Sequence, residues 1–162
     1  MLHKMAAWMC VLLLLFVAIT PEGCPLGWVQ GPSSCFFFSQ FGGTWADANA
    51  ICKGFETKLA EPADEITFAF LAGHAASEHP LHSQFYLGGS DMFVEGVWEW
   101  SSTKTQVNPN HWEPGNPSDD NNNGDCLTLN APLKELNDVQ CTAIFAFICE
   151  AESGEPEQVV IG

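Results

Sequence analysis

Arginine is absent from this chain, and tyrosine occurs once. Five lysines carry all the side-chain positive charge against twenty carboxylates, for a net charge of −15. Beyond Gly23 only Lys53, Lys58, Lys104 and Lys134 remain. So few scattered cations offer no basic footprint, which excludes nucleic acid and anionic lipid as partners. Catalytic signatures are missing too. There is no G-x-S-x-G, no phosphate-binding loop and no H-E-x-x-H. The cysteines form no C-x-x-C pair, and His74, His79, His82 and His111 lack a ligand spacing, which argues against zinc. The chain reads as a non-enzyme. No internal repeat, coiled coil or collagen-like stretch is visible. Any oligomer must therefore form through the domain surface or the tail.

Long apolar runs are also scarce. The one candidate, Trp8 to Ile19, follows Lys4 and is broken by Pro21, Glu22 and Gly23. It falls short of the roughly 20 residues a membrane-spanning helix needs. Residues 1–23 read as a secretory signal peptide, so a secreted, extracellular protein without membrane insertion is expected. Of seven cysteines, Cys10 lies in that leader. Cys24, Cys35, Cys52, Cys126, Cys141 and Cys149 remain, an even set suited to disulfides, with 15 pairings open on arithmetic alone.

Residues 24–150 read as one domain, and 151–162 as an acidic disordered tail. Cys24 to Cys35 resembles a hairpin, and Cys35 to Phe38 a buried strand. Thr44 with Asp47 fits a capping box, and Trp45, Ala48, Ile51 and Cys52 share one helical face ended by Gly54. A second helix is predicted from Ala63 to about Ala76, with Ile66, Phe70 and Leu71 inward. Val97 to Trp100 alternates as a half-exposed strand should, and strands are predicted over 126–129 and 143–149. Between them, Ser101 to Gly124 is rich in Asn, Pro, Asp and Gly. A long irregular loop inside a small domain is usually functional.

These motifs, taken in order, resemble the C-type lectin domain. They are Cys-Pro-x-Gly-Trp at Cys24, Trp-x-x-Ala-x-x-x-Cys ending at Cys52, and Tyr86-Leu87-Gly88-Gly89. Trp98-Glu99-Trp100, Asp125-Cys126, Asn137-Asp138, Cys141 and Phe147-Ile148-Cys149 follow. The resemblance spans Cys24 to Cys149. It implies an α+β fold with two helices packed on antiparallel sheets, and a long irregular binding loop. It also implies the pairs Cys24–Cys35, Cys52–Cys149 and Cys126–Cys141.

The resemblance further implies calcium as cofactor and glycans as partners. The loop motif falls on Asn116-Pro117-Ser118, and the later strand pair on Asn137 and Asp138. Asn116, Ser118, Asn137 and Asp138 are the candidate carbohydrate contacts. Asn116, Asn137 and Asp138 are also candidate calcium ligands, because calcium takes 6–8 oxygens and a sugar can supply two. Ser118 is a poor ligand, and Gly124, where the family places a carboxylate, offers no side chain. An auxiliary calcium site would use Asp91, Glu95, Asp119 and Asp125. A rival register would place the motif on Glu113-Pro114-Gly115. Trp98 and Trp112 are expected in the core, and His111 at the surface.

The expected function is a secreted, calcium-dependent lectin that binds glycans of microbes or glycoproteins in innate immunity. Two alternatives remain. One is a protein-binding domain of the same fold that no longer binds sugar. The other is an acidic component of an extracellular matrix.

Overall fold

In the first helix, Thr44 caps the N-terminus by accepting the Asp47 N–H, and the Asp47 carboxylate accepts the Thr44 N–H in return. This reciprocal box satisfies donors that the first turn leaves open. It also holds the Asp47 carboxyl below its ordinary pKa, chiefly through the Thr44 hydroxyl. Helix α1 (Trp45–Gly54) buries Ala48 and Cys52. Helix α2 (Glu65–Glu78) is capped by Asp64, whose side chain accepts the Thr67 N–H at 2.9 Å.

The computed structural model describes residues 23–118 and 124–152. Among the described residues there are eight strands: β1 (Val29–Gln30), β2 (Ser34–Phe38), β3 (Lys58–Leu59), β4 (Gln84–Ser90), β5 (Glu99–Trp100), β6 (Cys126–Asn130), β7 (Glu135–Val139) and β8 (Ala146–Glu152). Six run in the order β1-β2-β8-β4-β6-β7, while β3 pairs with β8 and β5 with β4. Every pairing is antiparallel except β4–β8, so the sheet is mixed. The last strand begins and ends later than expected from 143–149. The expected signal peptide up to residue 22 and the tail from residue 153 lie outside the described residues.

Three disulfides join Cys24–Cys35, Cys52–Cys149 and Cys126–Cys141. The second ties α1 to β8 across the core, and the third pins the start of β6 to the segment after β7. Each such bridge in a small domain contributes about 2–5 kcal/mol.

The core gathers Phe36, Leu71, Phe85, Leu87, Trp100, Leu127, Leu129, Leu136 and Ile148. One expectation fails here. Ile66 is exposed; Thr67, Phe68, Leu71, Ala72 and Ala75 form the buried face of α2, with Phe70 half-buried against the core. The alternation expected around Glu99 is present: Trp98 and Trp100 are buried, while Glu99 between them is half-exposed. Trp98 is buried as expected and meets Trp112 edge-on at 4.9 Å between centroids. On the opposite sheet face, the Tyr86 hydroxyl donates to the carbonyls of Gln140 or Ala143 at 3.1 and 3.0 Å. Burial pushes its pKa up to about 12.

Candidate functional site

The long connection from β5 to β6 is held at its base. A short 3₁₀ turn, Pro109–His111, places the His111 ring flat against Phe68 of α2, with centroids 3.8 Å apart. His111 Nε2 lies 2.7 Å from the Glu65 carboxylate. His111 is therefore buried, contrary to its expected surface position. The next residues run beside the edge strand β7: Trp112 bridges Leu136, and the Glu113 N–H donates to the Leu136 carbonyl at 3.0 Å. The Glu113 side chain accepts from Asn130 Nδ2 at 2.6 Å. Glu113 thus braces the loop through this bond.

Gly115 adopts φ +94°, a left-handed conformation that other residues resist. The chain turns there and enters the cis Asn116–Pro117 peptide. Beyond the turn, Asn116 Nδ2 donates to Asn137 Oδ1 at 2.6 Å. The Ser118 N–H donates to Asp138 Oδ1 at 3.0 Å, and its hydroxyl to Asp138 Oδ2 at 2.9 Å. All four expected carbohydrate contacts therefore meet in one place. Along β7 the side chains alternate, so Asn137 is half-buried and Asp138 buried, and the loop reaches both by folding over an edge.

Next to this contact lies a cavity of about 30 Å³, lined by Asp91, Glu95, Gly96, Trp98, Pro117, Gly124 and Asp138. Asp91 is buried; its Oδ2 accepts the Gly96 N–H at 3.0 Å, closing the 91–96 turn. Its own N–H faces the Asp125 carbonyl at 3.4 Å. The structure thus joins Asp91 and Glu95 of the expected auxiliary set to Asp138 of the primary set. Asp119 lies outside the described residues.

Gly124 is more than a missing ligand. A Cβ built there would stand 2.7 Å from Asp138 Oδ2, so a side chain at this position displaces that carboxylate. Sequence reasoning saw only the missing oxygen. The collision depends on a partner fourteen positions along the chain, and no local signal announces it.

Does this donor set fit calcium? The three carboxylates around one small cavity are hard oxygen donors whose mutual repulsion a divalent cation relieves. The Asn116 amide now donates to Asn137, and turning it over would present two amide oxygens together. Among the described residues, no three carboxylates stand ready as a cation cage. The chemistry of the donors fits the ion, and binding must draw Asp91, Glu95 and Asp138 inward.

A disulfide-stapled mixed sheet with two helices and a long loop folded over its edge strand defines a lectin-type recognition domain. The family described as "Lectin C-type domain" matches residues 42–151, and the chain belongs to it. This family comprises non-enzymatic carbohydrate-binding proteins. Perlucin of Haliotis laevigata is 34% identical over 132 residues, covering 80% of this chain and 84% of that protein. Lactose-binding lectin l-2 of Anguilla japonica is 30% identical over 160 residues, covering 90% and 94%. The carbohydrate-recognition domain of the mouse scavenger receptor C-type lectin superposes with a TM-score of 0.72 at 26% identity, covering 82% of this chain and 99% of that one.

Proposed function

We propose that this protein is a secreted lectin that binds glycans in a calcium-dependent manner, with microbial surfaces or glycoproteins as targets and innate immune recognition as its role. The observation that carries this reading is the meeting of Asn116 and Ser118 with Asn137 and Asp138 beside the Asp91–Glu95–Asp138 cavity. Asp91, Glu95, Asp138, Asn116 and Asn137 would hold the ion, with Asp119 and Asp125 as further candidates. Calcium would supply open coordination positions for two sugar hydroxyls. The same amides and the Ser118 hydroxyl are hydrogen-bond partners for those hydroxyls. Secretion agrees with three disulfides. Among the described residues no helix is long and apolar enough to cross a membrane.

One observation favours a protein-binding domain instead. Ser118 spends both its donors on Asp138, and Gly124 supplies no side-chain oxygen. Calorimetric titration of calcium, with and without mannose, galactose or N-acetylglucosamine, separates the two. A sugar that tightens calcium binding supports the lectin reading. Calcium binding that no sugar alters supports the protein-binding domain. No calcium binding at all removes the proposal.

A further inference from the structure

The N-terminal hairpin carries a feature that the ligand loop does not use. Gly27 takes φ +86° between Pro25 and Trp28, and the turn leaves Leu26 fully exposed. Beside it opens a groove of about 740 Å³, lined by Pro25, Trp28, Phe55, Glu56, Lys58 and Ala151 among others. Its aromatic wall is rigid: Trp28 and Phe55 meet edge-on at 6.1 Å, and both pack on Phe37, at 5.7 and 5.6 Å. Phe55 nonetheless leaves half its surface to solvent. An apolar knob and an apolar groove thus adjoin on one face, the signature of an interaction surface.

Charge selects the partner. The chain carries −15, so two copies repel over most approaches. On this face the balance is level. Glu56 and Lys58 both line the groove, and the adjoining hollow brings Lys53 and Glu61. Lys58 is held 3.2 Å from Glu61, while Lys53 has no ion-pair partner among the described residues. Half of the four lysines beyond Gly23 therefore gather where the apolar groove lies.

We propose that this face is the interface of a two-fold homodimer. In such an arrangement a patch meets its own copy. Leu26 of each protomer enters the Trp28–Phe55 groove of the other, and Glu56 of each faces the lysines opposite. No residue lining this groove lines the Asp91–Asp138 cavity, so both ligand loops stay open. Pairing gives two sites per particle, and avidity raises the binding of weak single contacts.

The test is sedimentation equilibrium of the full secreted chain over roughly 1–200 µM, against Leu26→Asp and Phe55→Ser. A dimer is expected, and each substitution raises its dissociation constant at least about tenfold. Because Leu26 is fully exposed, Leu26→Asp leaves the melting temperature unchanged at concentrations low enough for both chains to be monomeric, which separates loss of association from loss of fold. A wild-type chain that is monomeric throughout overturns the proposal, as does a dimer that both variants leave intact. A chain that dimerises only after residues 153–162 are removed also overturns it, by showing its own acidic end on the groove.

Discussion

Ser118 holds Asp138 with both of its donors, the main-chain N–H on one carboxylate oxygen and the hydroxyl on the other. Asp138 is buried near the end of the edge strand and lines the cavity beside the loop. A buried carboxylate with two donors is stable without a metal, yet it remains a hard ligand facing Asp91 and Glu95 across the cavity. Ligand binding and loop geometry therefore converge on this one side chain.

Asp138→Asn tests that convergence. The amide keeps the shape and removes one charge from the cavity. Calcium affinity is expected to fall at least about tenfold by calorimetry, or about 1.4 kcal/mol. Thermal unfolding should shift by about 1 kcal/mol or less, because one acceptor oxygen for Ser118 survives. An unchanged calcium affinity would place the ion away from Asp138.

Gly124→Ala probes the opposite side of the same carboxylate. The added methyl would stand 2.7 Å from Asp138 Oδ2, too close for both to stay. Overpacking of this kind costs about 1–3 kcal/mol. Calorimetry should show loss of calcium binding together with a lowered unfolding midpoint. A variant of wild-type stability and affinity would mean that Asp138 moves aside freely.

Much of the fold was legible because its signals are local or ordered. The capping box at Thr44 and Asp47 lies within one turn, and the cysteine and tryptophan motifs follow the family order. The inward face of α2 was not legible. That helix is apolar almost all round, so Ile66 and Phe68 look alike in sequence, and only packing against His111 and the sheet chooses between them. The site was half legible. Asn116, Ser118, Asn137 and Asp138 are what the family resemblance implies, but the place of Asp138 beside Asp91 and Glu95 is tertiary. So is the contact that a side chain at position 124 would make with Asp138.

His111→Ala should damage the base of the ligand loop. The substitution removes a ring stacked at 3.8 Å on Phe68 and leaves a void beside the core. The Glu65 partner is 74% exposed, so its ionic contribution is small and packing dominates. A loss of about 1–3 kcal/mol is expected in denaturant unfolding, with Glu65→Gln costing much less. Equal costs for the two variants would show that the ion pair, not the stacking, fixes the loop.

His79 makes stability depend on pH in the mildly acidic range. Its ring stacks on Phe38 at 5.0 Å, with Gln40 Nε2 at 2.9 Å from Nδ1. Desolvation, then the nearby His74 and His82, lower its pKa below the ordinary 6.5, while Glu78 acts weakly in the other direction. Below pH 6.5 the unfolded chain thus binds a proton more readily than the folded chain. Stability contributed by neutral His79 is fully present above that value and is lost as pH falls from 6.5 toward the lowered folded value. The unfolding midpoint should drop over this window, and His79→Phe, which keeps a ring against Phe38, should flatten the drop. A slope identical in wild type and His79→Phe would show that His79 does not set the pH dependence.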